Sequence, residues 1–154
     1  MSMSRILVMN GPNLGQALGS RQPEVYGSAT FADLETSLQL RARALGVEVV
    51  CSQSNHEGDL IDRLEAERGK AAGCIVNPGG LTHTSVALLD ALTNFGAPVI
   101  EVHISNIHAR EEFRSVSITA RAATAVVTGF GVNGYLLALD GLCTRLGVPA
   151  QETP

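Results

Sequence analysis

The chain has 154 residues, 45% of them hydrophobic and 17% charged, which is too apolar for a disordered protein and the right size for a single domain over residues 1–154. The net charge is -4, Lys70 is the single lysine, and no basic run occurs, so the electrostatic footprint of a nucleic-acid binder is missing and small ligands are the expected partners. No apolar run approaches the roughly 18 residues of a membrane span, and MSMSRILVMN has no separate hydrophobic region with a cleavage site, so a cytoplasmic protein with no membrane partner is expected.

The first strand is predicted over RILVMN (5–10), followed by a long loop from 11 to 29 that holds SRQPEVYG (20–27). FADLETSLQLRARALG follows as a helix, with Thr30 and Asp33 placed as a capping box and Gly46 as its stop. VEVVCS (47–52) reads as a strand and DLIDRLEAERG as a helix, before the strand GCIVN (73–77). TSVALLDALTNFG, PVIEVHIS (98–105), ATAVVTG (123–129) and VNGYLLALDGLCTRLG complete the alternation as helix, strand, strand and helix. Cys51, Cys74 and Cys143 are widely spaced in apolar segments, which suits reduced core thiols better than disulfides or a metal site.

Strand and helix alternating throughout, with short apolar strands that lack polar alternation, predicts an α/β protein: a doubly wound five-stranded parallel sheet of order 2-1-3-4-5, covered on both faces. Ligands of such sheets bind outside the carboxyl ends of the strands. Three polar segments leave the sheet there: NGPNLG with Asn10 and Asn13, NPGGLTHTS with Asn77, His83 and Ser85, and EVHISN. The loop carrying Arg21 and Tyr26 leaves the same rim and is expected to fold across it as a lid.

Glu101 and His103 stand two apart in a strand and so share a face, where a carboxylate can hold an imidazole in one tautomer. They are an acid/base pair in outline, and equally a satisfied polar pair at a strand end. Glu101, His103, His83 and His56 form a metal set only if distant loops meet, and the usual metal motifs are missing. NPGG and NGPN could cradle an anion, although neither matches a nucleotide-binding fingerprint. Tyr135, on the apolar pattern YLLAL, reads as core. Tyr26 has no such explanation: a free phenol is about 0.1% ionised at neutral pH, and Arg21 is a permanent cation able to raise that fraction and make Tyr26 a base. Lys70 falls at a helix end facing solvent, which argues against imine chemistry.

Seven segments in order resemble the type II 3-dehydroquinate dehydratases: NGPNLG (10–15), RQPEVYG (21–27), SNHEGDLID (54–62), NPGGLTHTSVALLDAL (77–92), EVHISN (101–106), HAREEFR (108–114) and GFGVNGYLLAL (129–139). The resemblance implies a flavodoxin-like fold and a trans-elimination of water from 3-dehydroquinate to 3-dehydroshikimate through an enol or enolate, in the shikimate pathway, without metal or organic cofactor. It further implies Tyr26 as the base beside the ketone, Arg21 as the cation beside it, His103 as the acid for the departing hydroxyl and Glu101 as its orienting group. Asn13 would position a water against the enolate, Asn77 would contact substrate and His103, and His83 and Arg114 would bind ring hydroxyls. The amides of Ile104 and Ser105 would hold the carboxylate, and Asp90 would reach a neighbouring subunit's site within trimers that assemble to a homododecamer. LGQALGS, between Asn13 and Arg21, runs one residue longer than the family pattern. A flavin-binding or receiver-like domain on the same topology, or an inactive scaffold, are the competing readings.

Overall fold

The computed structural model describes residues 2–20 and 22–149. Strands β1 (Arg5–Asn10), β2 (Glu48–Gln53), β3 (Gly73–Asn77), β4 (Val99–His103) and β5 (Ala125–Thr128) pair in parallel in the order β2-β1-β3-β4-β5. This is the order expected from the alternation of apolar runs and helix-period segments. Helix α1 (Pro23–Tyr26) is a single turn in the rim loop, while α2 (Phe31–Leu45), α3 (Glu57–Glu67), α4 (Val86–Asn94) and α5 (Asn133–Arg145) cover the sheet.

Because successive strand side chains point to opposite faces, β1 sends Ile6 and Val8 into a core shared with α2 and α5, and Leu7 and Met9 into a second core shared with α3 and α4. Leu38 and Leu139 lie at full burial in the first core, where truncation of either to Ala would cost about 2–5 kcal/mol. At the far edge, Ala125 and Val126 of β5 are exposed, so the covering of the sheet is incomplete on this strand.

Local signals account for the helix ends. Thr30 accepts a hydrogen bond from the Asp33 amide at 3.1 Å while the Asp33 carboxylate accepts from the Thr30 amide at 2.9 Å, forming the expected capping box. Gly46 ends α2 in the left-handed region at φ 71°. Helix α3 starts at Glu57, earlier than DLIDRLEAERG implies, and places Glu57 and Asp59 at the positive end of its dipole.

The rim departs from expectation in one place that matters. SRQPEVYG reads as loop, but Pro23–Tyr26 forms a helical turn, because Pro23 presets the first helical φ and its missing N–H is not needed there. The Gln22 carbonyl accepts from the amides of Val25 and Tyr26 at 2.8 and 3.0 Å, and the turn buries the Tyr26 ring in the first core. Upstream, Leu14 and Leu18 are buried in the same core, with the Leu18 amide donating to the Gly15 carbonyl at 3.0 Å. Two buried leucines thus anchor the LGQALGS segment to the first core.

Candidate active site

The strand ends stand in register at one rim: Asn10 lies beside Gln53 of β2 and beside Asn77 of β3. Loops 10–13 and 77–80 pack backbone to backbone above them. A Cβ at Gly11 would come within 2.4 Å of the Pro78 carbonyl oxygen, and one at Gly79, whose φ is 60°, within 2.8 Å of that of Pro12. Gly11 and Gly79 therefore let two loops touch, which accounts for these two glycines without an anion, whereas a Cβ at Gly80 would meet nothing within 4 Å.

Beneath the loops lies a polar joint. Tyr135, fully buried on α5, donates its hydroxyl to Asn10 Oδ1 at 2.5 Å and accepts from Asn77 Nδ2 at 2.9 Å. Asn77 Oδ1 accepts from the Gly79 amide at 3.1 Å, so one Nδ2 hydrogen and one Oδ1 lone pair remain for a ligand. Burial pushes the Tyr135 phenol well above its ordinary range, opposed by the Asn77 bond, so the group is a neutral hydrogen-bonding anchor. The expectation that Tyr135 is core holds for its ring and misses its hydroxyl.

A cavity of about 230 Å³ opens between these loops and the turn that carries Tyr26. Asn13, Tyr26, Asn77, His83, His103 and Arg114 all line it, as do Ile104 and Ser105. Strand β4 stops at His103, so Ile104 and Ser105 leave the sheet and arrive at the rim. Asn13 is held in the left-handed region at φ 66°, with its amide donating to Asn55 Oδ1 at 3.0 Å.

His103 Nε2 lies 2.8 Å from Glu101 Oε2, which assigns the proton of this bond to Nε2 and leaves Nδ1 as the other ring nitrogen. Glu101 is fully buried and sits behind His103, outside the cavity lining. Burial pushes its pKa up, but hydrogen bonds from His103 and Thr119, the charge of His103 and a bond from Ser117 outweigh this and hold the carboxyl below its ordinary range. His83 Nδ1 must donate to the Val116 carbonyl, 2.8 Å away, because that oxygen can only accept. Arg114 lines the cavity with Nε donating to Glu111 at 2.5 Å and its guanidinium 5.2 Å from the Phe113 ring centroid.

Two expected residues are not among those lining the cavity in the described chain. Arg21 falls outside the described residues, and Asp90 is exposed on α4, away from the cavity of its own chain. One residue was missed: Arg110, half-buried in the cavity wall, donates Nη1–H to the Tyr26 oxygen at 2.8 Å. Its position in HAREEFR was the available signal, but an arginine followed by Glu111 and Glu112 in a loop reads as a solvated charge.

The competing chemistries find little support in this geometry. Lys70 is exposed just ahead of β3, at the end of the sheet opposite the cavity. Burial pushes the Cys51 thiol up to about 12 and raises Cys74 and Cys143 as well, the opposite of an activated nucleophile. His56 and His108 are exposed, and among the described residues no three His, Cys, Asp or Glu side chains gather as a metal ion requires.

The chain is similar to known proteins in both sequence and fold. A 3-dehydroquinate dehydratase of Rhodopseudomonas palustris (strain BisA53) is 54% identical over 147 residues, covering 95% of this chain and 97% of the relative. 3-Dehydroquinate dehydratase 1 of Corynebacterium efficiens is 56% identical over 141 residues, covering 92% and 93%. The crystal structure of the type II dehydroquinase from Propionibacterium acnes superposes with a TM-score of 0.88 at 42% identity, over 94% of this chain and 99% of that one. The family described as dehydroquinase class II matches residues 4–143, nearly all of the described sheet and helices. With sequence and fold in agreement, this chain belongs to the class II dehydroquinases.

Proposed function

We propose that the chain is a 3-dehydroquinate dehydratase that eliminates water from 3-dehydroquinate to give 3-dehydroshikimate. The observation that carries this reading is the joint placement of Tyr26 and His103 on one small cavity, the first bonded to a guanidinium and the second to a buried carboxylate. Dehydration beside a ketone needs a base on the carbon next to the carbonyl and an acid on the departing oxygen, and these two groups fit the roles.

In the proposed reaction the Tyr26 phenolate takes the proton from that carbon, and the electron pair moves to the ketone oxygen as an enolate. As the pair returns, the carbon–oxygen bond of the leaving hydroxyl breaks and His103 supplies the proton that makes it water. Asn13 holds a water against the enolate oxygen, which stabilises charge where it develops. Asn77, His83 and Arg114 engage the substrate, with the Ile104 and Ser105 amides on its carboxylate. Arg21 joins Arg110 as a cation beside Tyr26. Asp90 serves the site of a neighbouring copy in a trimer, and trimers build a homododecamer in the cytoplasm. The reading includes a reaction without metal or organic cofactor and one domain spanning residues 1–154.

The test adds 3-dehydroquinate to the purified protein in the presence of a chelator and follows the near-ultraviolet absorbance of the conjugated enone. Growth of the band is expected. No band overturns the assignment, and a band abolished by chelator overturns the metal-free mechanism.

A further inference from the structure

Glu101 has no polar side chain beside it in the sheet, since its register partners are Val76 on β3 and Val126 on β5. A carboxylate at full burial among apolar strands needs hydrogen-bond donors, or it loses its charge. Beyond His103, both donors come from the segment after Arg114. Ser117 Oγ donates to Glu101 Oε2 at 2.8 Å, and Thr119 Oγ1 donates to Glu101 Oε1. Thr119 is itself fully buried, and Ser117 Oγ also accepts from the Ala120 amide at 3.0 Å, at the start of the turn Thr119–Ala122. The same segment braces the other side of the site: the Ile118 amide donates to the Thr82 carbonyl at 2.8 Å, and the Val116 carbonyl receives His83.

We propose that Thr119, assisted by Ser117, is a positioning residue for the dehydration: its hydroxyl keeps the Glu101 carboxylate ionised and aimed at His103 Nε2–H, so that the ring, which as the acid must carry a proton on each nitrogen, is fixed with Nδ1–H turned to the leaving group. The proposal rests on the reading of His103 as the acid. Among the described residues, the titratable group facing Glu101 is His103 on its own strand; the turn above contributes hydroxyls, and Arg121 on that turn is exposed. Neither hydroxyl touches the cavity, so their influence passes through Glu101. Thr119 is fully buried, and its hydroxyl donates to Glu101 Oε1. Valine keeps the shape and removes the donor.

The experiment measures kcat and KM for 3-dehydroquinate against pH in the full chain, for wild type, Thr119→Val, Thr119→Ser and Ser117→Ala. Thr119→Val is expected to lower kcat at neutral pH about tenfold with KM nearly unchanged, and to move the acid-side midpoint of kcat upward by about one pH unit, because a lost donor disfavours the ionised carboxylate. Thr119→Ser restores both, and in a Glu101→Gln background Thr119→Val adds no further loss. An unmoved acid limb in Thr119→Val, a Thr119→Ser as slow as the valine variant, or an equal loss in the Glu101→Gln background overturns the proposal. If circular dichroism shows that Thr119→Val does not fold, Ser117→Ala is read by the same acid limb, with a smaller upward shift expected and an unmoved limb contrary. Glu101→Gln turning over like wild type would overturn the underlying reading of the Glu101–His103 pair, and that outcome is visible without any Thr119 variant.

Discussion

The guanidinium of Arg110 donates to the Tyr26 oxygen at 2.8 Å and stands 5.5 Å from the centroid of the same ring. A cation whose hydrogen bond ends on the phenol oxygen fixes where that oxygen stands in the cavity wall, so losing it would displace the group proposed as the base. A hydrogen bond to a charged group is worth about 1.5–3 kcal/mol, or roughly 10- to 150-fold in rate if it is made fully in the active form. Arg110→Ala should lower kcat by an amount in that range, with Arg110→Lys intermediate because lysine keeps the charge without the planar fork. Steady-state kinetics check this, and a kcat within twofold of wild type would leave Arg110 as a wall residue.

His103→Ala should separate the two halves of the reaction. Proton exchange beside the ketone needs only the base, whereas loss of the hydroxyl needs the acid. Turnover should therefore fall far more than exchange, measured by incorporation of deuterium from solvent into the substrate. Equal losses would make His103 a support for the site.

Glu101 links this site to stability in acid. Its pKa in the folded chain lies below the unfolded value of about 4.3, so its ionised form adds stability that is fully present above that value and fades as pH falls through the lower folded one. Glu101→Gln should be less stable than wild type at neutral pH, and the gap should narrow on acidification. Urea melts followed by circular dichroism at several pH values measure the gap, and a gap constant with pH would contradict the linkage.

Tyr135→Phe removes one oxygen and strands two groups, Asn10 Oδ1 and the Nδ2 hydrogen of Asn77 that it accepts. A buried polar group left without a partner costs about 1–3 kcal/mol, so the variant should be less stable by that amount in urea unfolding. Asn77 also lines the cavity, so KM should rise too. A variant with unchanged stability would show that the two asparagine amides re-pair with each other.

What could be read in the sequence followed the range over which each signal acts. The capping box at Thr30 and Asp33, the stop at Gly46 and the apolar strands RILVMN and GCIVN are decided by neighbours in the chain, and they stand where expected. The Glu101–His103 bond was legible for the same reason, since two residues apart on a strand is a spatial statement. Arg110 and Tyr26 are 84 positions apart and meet only once the lid turn and the rim loops have both folded. Thr119 and Ser117 look like any hydroxyls in a loop until β4 brings Glu101 beneath them. Tyr135 was placed in the core by its period, but a period locates a ring and says nothing of the atom at its end.

Removal of the proton beside the ketone by Tyr26 is measured by exchange of that proton with solvent deuterium in Tyr26→Phe. Wild type is expected to exchange the proton and form the enone, while the folded Tyr26→Phe variant does neither. Exchange retained in Tyr26→Phe at a rate near that of wild type would place the base elsewhere and contradict the account.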